Sequence, residues 1–127
     1  MLPRPTDAEL DLLTILWSRG PSTVREIHDI ATARRPTQYT TVLKTLQIMA
    51  EKGLVVRNEE QRAHVYAPAS PQAATERQLA GDLLERAFQG SAARFVQGAL
   101  SARRVSPEEL AEIREMLNRY ENDGPTK

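Results

Sequence analysis

Up to Gly53 the apolar residues of this chain recur at helical spacing, and directly after it they alternate. That switch of period constrains the fold more than any other feature. Three helices precede it. Thr6 and Glu9 form a capping-box pattern, in which a hydroxyl and a carboxylate three residues apart satisfy each other's backbone amides. Leu10, Leu13, Leu16 and Trp17 follow on one face until Gly20-Pro21, which predicts a first helix over about residues 7–18. Thr23 and Glu26 repeat the box, and Val24, Ile27, Ile30 and Ala31 give a second short helix. It ends at Arg34-Arg35-Pro36, because proline disfavours helical geometry in the residue before it. Thr37 is the expected cap of a third helix running to about Lys52, with Val42, Leu46 and Met49 inward and Gly53 as its stop. The runs 54–57 and 62–67 are short, β-branched or aromatic, and separated by Asn58-Glu59-Glu60-Gln61, which predicts a hairpin.

Helix, helix, helix, hairpin is the order of a winged helix-turn-helix, expected over residues 1–69. After Ala67-Pro68-Ala69 the chain turns helical again. Ser70-Pro71 opens a helix carrying Leu79, Leu83, Leu84, Ala87 and Phe88 up to Gly90. Ala92, Phe95, Val96, Ala99 and Leu100 make a fifth segment that Gly98 should weaken, and Ser106-Pro107-Glu108-Glu109 is a capping box opening a sixth with Leu110, Ile113, Leu117 and Tyr120. The expected fold is therefore mainly α: a winged helix-turn-helix of three helices plus a β-hairpin wing, followed by a three-helix lobe over 70–127. Those last helices carry more apolar stripe than they can bury on one another, and below about 70 residues a free-standing core is thin. A second copy of the chain is the economical cover. Leu79, Leu83, Phe88, Phe95, Leu110, Ile113 and Leu117 are the expected dimerisation residues; the alternative is that the tail packs back on the first lobe.

Composition then narrows the function. The 127 residues include no cysteine, which excludes disulfides, thiolate metal sites, iron–sulfur clusters and cysteine nucleophiles. His28 and His64 lack companions at ligand spacing, so no metal and no cofactor are expected. His-Glu-x-x-His, Gly-x-Ser-x-Gly, a phosphate-binding glycine loop and a dinucleotide fingerprint are all missing. Carboxylates such as Glu115 sit one turn from bases such as Arg119, the pattern of a solvated helix face. No catalytic residues are assigned, and the chain is expected not to be an enzyme. No apolar run approaches the ~20 residues that span a bilayer, so no membrane insertion is expected. The start Met-Leu-Pro-Arg-Pro lacks the apolar core of a secretory signal, which points to the cytoplasm.

Seventeen basic residues balance seventeen acidic ones, yet the balance is not local. Residues 1–30 set Arg4, Arg19 and Arg25 against Asp7, Glu9, Asp11, Glu26 and Asp29. Residues 31–69 set Arg34, Arg35, Lys44, Lys52, Arg57 and Arg62 against Glu51, Glu59 and Glu60. The basic excess falls on the third helix and the hairpin, the elements a winged helix applies to double-stranded DNA. Gln38, Tyr39, Thr40, Thr41, Lys44 and Gln47 occupy the first turns and polar side of that helix, where hydroxyls, amides and an ammonium can meet bases or phosphates. Arg57, Arg62 and His64 lie on the hairpin, and Arg35, Arg57 and Arg62 are the expected phosphate contacts. Two other readings stay open: a winged helix that binds protein rather than DNA, and a DNA-binding regulator switched by a small ligand.

Several segments also resemble a known family. Thr6-Asp7-Ala8-Glu9-Leu10 leads into Thr14-Ile15-Leu16-Trp17, followed by Thr23-Val24-Arg25-Glu26-Ile27, Tyr39-Thr40-Thr41-Val42 and Glu51-Lys52-Gly53-Leu54-Val55. With the tail Ser106-Pro107-Glu108-Glu109-Leu110, their order and spacing resemble the penicillinase-repressor family of BlaI/MecI-type transcriptional regulators over nearly the whole chain. The resemblance implies a homodimeric repressor of β-lactam-resistance or related genes, with the winged lobe on a palindromic operator and the C-terminal helices forming the dimer. It further implies induction by a membrane-bound sensor metalloprotease that cleaves the dimerisation lobe. The family's cleaved Asn-Phe bond falls at Arg94-Phe95; Arg94 departs from that pattern, leaving cleavage there and a dimer-core role for Phe95 both open. Ile48 stands where many relatives carry arginine. A related copper-responsive branch uses a cysteine-rich C-terminus, a site this chain cannot form.

Overall fold

The computed structural model describes residues 3–125. Its elements run α1 (Asp7–Arg19), β1 (Ser22–Thr23), α2 (Val24–Arg34), α3 (Tyr39–Lys52), β2 (Val55–Asn58), β3 (Val65–Pro68), α4 (Gln72–Arg86), α5 (Ala92–Ala102) and α6 (Pro107–Asp123). The first two helices begin as their capping boxes dictate. The Thr6 hydroxyl accepts the Glu9 amide at 3.2 Å while the Glu9 carboxylate accepts the Thr6 amide at 2.8 Å. Thr23 and Glu26 repeat the exchange at 3.2 and 2.9 Å. The Thr23 amide, followed by the Arg19 guanidinium at 2.7 Å, holds the Glu26 carboxyl below the usual carboxylate range.

The third helix starts one residue later than Thr37 predicts. Gln38 is its N-cap, with no side-chain capping bond. Thr37 is unavailable because it is tied back to α2: its amide donates to the Thr32 hydroxyl at 3.2 Å, and its carbonyl meets His28 Nε2 at 2.7 Å. At the other end Gly53 adopts the left-handed conformation (φ 83°) that lets the Leu54 amide return to the Met49 carbonyl at 2.9 Å. The chain leaves the helix there and enters β2.

The hairpin is shifted along the chain: β2 runs to Asn58, one residue beyond the expected run, and β3 begins only at Val65, which leaves a longer tip where the Asn58 side chain accepts the Glu60 amide at 2.8 Å. Val55 pairs with Pro68 and Asn58 with Val65. A third strand, β1, was not expected. Its two residues lie between Gly20-Pro21 and the α2 cap, too short a run to show a period, and pair as Ser22 with Tyr66 and Thr23 with Val65. The antiparallel order is β1-β3-β2.

Leu13, Leu16, Ile27, Val42, Leu46, Met49 and Tyr66 form the fully buried heart of this lobe. The α1 face is broader than its predicted stripe: Leu12 and Ile15 are buried, whereas Leu10 is only half-buried. Glu9 is buried as well, and Lys52 from the end of α3 reaches it at 2.6 Å.

The chain divides into two compact units, Met1–Asp82 and Leu83–Lys127, and the division falls inside α4. The start of α4 belongs with the winged lobe: Trp17 Nε1 donates to the Ser70 carbonyl at 3.1 Å, Thr75 is buried, and Arg4 pairs with Asp82 at 2.9 Å. The first α4 amides return to the Pro71 carbonyl, one residue beyond the expected Ser70 cap. In the second unit, α4 ends at Arg86, before the predicted Gly90 stop, and a turn through Gln89 (φ 49°) and Gly90 (φ 79°) leads to α5. Ser91 caps α5 and Ser106 caps α6. Gly98 does not simply weaken α5. Phe88 and Phe95 stack with centroids 5.0 Å apart, and a Cβ at position 98 would stand 3.3 Å from the Phe88 ring. Neither α5 nor α6 contains a fully buried residue. No described helix is long and apolar enough to cross a membrane.

Candidate nucleic-acid interface

Successive helical residues turn by about 100°, so burying Val42, Leu46 and Met49 sends Thr40, Lys44, Gln47, Ile48 and Glu51 outward. All five are exposed. The helix start is fixed from α2. The His28 and Tyr39 rings meet in a T-shaped arrangement (5.7 Å, 69°), and the Arg25 guanidinium lies 5.9 Å from the Tyr39 centroid, within cation–π range. Because a carbonyl only accepts, His28 Nε2 carries the proton it shares with Thr37.

The wing faces the same side of the lobe. One groove between α3 and the wing is bordered by Arg25, Tyr39, Gln47, Arg57, Arg62 and His64. Five of those six residues are sequence-predicted contacts. Glu59 occupies Arg57 at 2.8 Å and lies 4.0 Å from His64. Lys44 and Arg62 have no ion-pair partner among the described residues.

The other predicted contacts lie outside that groove, on α3, at its cap and at the end of α2. Gln38 is exposed at the cap, its carbonyl accepting the Thr41 and Val42 amides at 3.1 and 3.2 Å. Thr41 and Arg35 border a second groove, on the α1 side, where Arg35 meets Asp11 at 3.5 Å. Lys52, counted with the basic excess, is turned into the lobe toward Glu9.

Two residues were missed by sequence reasoning. Arg25 had one legible signal: it sits in the first turn of α2, where the helix dipole disfavours a cation, so an external anion is its natural complement. His28 had none, since its partner is a backbone carbonyl in the next turn. The arrangement as a whole offers an exposed helix face with hydroxyl, amide and ammonium groups, flanked by a cation-bordered groove. Such a surface suits a polyanion with readable edges.

The profile of the penicillinase repressor family matches residues 5–119. The chain is 47% identical over 68 residues to the transcriptional regulator BlaI of Mycobacterium tuberculosis, covering 53% of this chain and 49% of that protein. It thus spans about half the length of the mycobacterial relatives it matches. It is 22% identical over 121 residues to the penicillinase repressor of Bacillus licheniformis, covering 95% of this chain and 94% of that one. In fold it is similar to the solution structure of the DNA-binding domain of the repressor BlaI, with a TM-score of 0.52 at 22% identity, over 57% of this chain and 89% of that one. That likeness supports the winged-helix architecture.

Proposed function

This chain belongs to the penicillinase repressor family, and on that premise we propose that it is a homodimeric, DNA-binding transcriptional repressor that occupies a palindromic operator in the cytoplasm. It is a regulator and not an enzyme. The observation that carries the reading is the groove that gathers Gln47 of α3, Arg57, Arg62 and His64 of the wing, and Arg25 of α2 beside the exposed α3 face. In this reading α3 enters the major groove, and the two half-sites lie about one helical turn, or a simple multiple, apart. Thr40, Thr41 and Lys44 discriminate bases, while Arg35, Arg57 and Arg62 hold phosphates. Residues 1–69 read DNA and residues 70–127 dimerise, with the first turns of α4 anchored to the winged lobe through Trp17 and Thr75.

Lys44→Ala and Thr41→Ala are each expected to weaken operator binding by about 1–3 kcal/mol per half-site, read by anisotropy on a duplex from the protein's own promoter. Unchanged binding for both removes α3 from the interface.

The wing gives a charge test with two signs. Arg62→Ala should weaken binding to all sequences alike and lower the salt slope by about one charge. Glu59→Gln should do the reverse, because it releases Arg57 from its 2.8 Å ion pair to bind a phosphate. A sequence-selective loss in the first variant, or weaker binding in the second, counts against phosphate contacts from the wing.

Release is the finer part of the reading. Arg94 and Phe95 lie inside α5, and Phe95 stacks on Phe88, so a membrane-bound sensor metalloprotease would have to unwind α5 to reach the bond between them. This packing favours Phe95 as a dimer-lobe core residue over cleavage at Arg94–Phe95.

A further inference from the structure

Tyr39 and Ile48 are the large apolar side chains that α3 leaves exposed. Tyr39 is engaged by Arg25 and His28. Ile48 is 41% exposed and belongs neither to the buried core nor to the side chains packed against it. It lies one turn beyond Lys44 and next to Gln47, on the outward face that otherwise carries Thr40 and Glu51. An isoleucine left in water there adds nothing to the core, and it can neither donate to a phosphate nor bond to guanine or adenine. One base edge in the major groove offers it a matching surface, the C5-methyl group of thymine.

Resting on the DNA-binding reading above, we infer that Ile48 is a specificity-determining residue that reads a thymine in each half-site by packing its aliphatic end on the thymine methyl. Lys44 and Gln47 supply polar readout beside it, and Ile48 selects by apolar contact at its own position. The contact buries surface on both partners that is exposed when they are apart, so its contribution appears only in the complex.

The test uses the full chain and duplexes enriched by the wild type from a randomised pool. Thymines of the enriched sequence are replaced one at a time by deoxyuridine, which removes the C5-methyl and nothing else. At one position in each half-site the replacement should weaken wild-type binding about fourfold, the worth of one methyl-sized group returned to water. The same replacement should have no effect on Ile48→Ala, which keeps its fold because the side chain is exposed, and Ile48→Val should keep most of the discrimination. An enriched sequence in which no single replacement matters, or a methyl effect that persists undiminished in Ile48→Ala, overturns the assignment while DNA binding stands. Failure to enrich any sequence overturns the DNA-binding reading and this inference with it.

Discussion

Leu117→Asp is expected to turn the protein into a monomer and to cost on the order of 100-fold in operator affinity, since two linked half-site contacts become one. Leu117 is 58% exposed, and Met116 and Tyr120 beside it are equally open. Leu110 and Ile113, at helical spacing on the same element, are half-buried. Within one chain, aspartate at 117 therefore replaces an exposed side chain and should leave the helical signal intact. In a dimer it would place an unpaired carboxylate in the apolar seam, an arrangement strongly destabilising for association. Sedimentation and circular dichroism separate the two effects. A variant that stays dimeric, or a wild type already monomeric at micromolar concentration, removes the dimer from the proposal.

The second large effect concerns the winged lobe itself. Lys52→Met should destabilise it by about 2 kcal/mol near neutral pH, somewhat less than a fully buried broken pair. The reduction reflects geometry: the Glu9 side chain is 6% exposed, but Lys52, 2.6 Å away, is 33% exposed and partly screened. Burial by itself raises the Glu9 pKa. The Lys52 hydrogen bond, the Thr6 amide and the Lys52 charge together outweigh it, so the carboxyl titrates below its ordinary 4.5. A folded-state pKa below the unfolded one means stabilisation that is fully present above about pH 4.5 and lost as pH falls through the folded value. Without Lys52, burial is left less opposed and the carboxyl protonates more readily. Urea unfolding should thus show the wild type losing its advantage on acidification, the two proteins converging. A gap that does not change with pH, or no gap at neutrality, would exclude the pair as a clamp between α1 and the end of α3. Glu9→Gln added to Lys52→Met should recover part of the loss, because no charge is then left buried.

Signals acting over three or four residues were legible. The capping boxes at Thr6 and Thr23, the Gly53 stop and the change of period after it gave three helices and a hairpin in the right order. Thr37 misled because a threonine before a helix looks like a cap whether or not another helix has already claimed it. Gly98 reads from the sequence as a helix weakener, and the packing reason for it, the Phe88 ring where a Cβ would stand, appears only in the fold. Of the expected DNA contacts, those on α3 and the wing could be named from residue type and element alone. Arg25 shows in the sequence only as a cation in the first turn of α2, and its relation to Tyr39 depends on how α2 crosses α3.

By itself, then, the sequence determined the six helices and the hairpin, their order, the winged-helix architecture and the chemical character of α3. Each of those follows from backbone propensity and periodicity, which act between near neighbours. The tertiary structure alone decided that β1 completes the sheet, that Lys52 serves Glu9 forty-three residues away, and that Trp17 holds Ser70 fifty-three residues on. It also decided that Arg25, Tyr39 and the wing share one groove. Those outcomes depend on which surfaces meet once the elements pack, and packing pairs residues whose separation along the chain carries no trace of their contact.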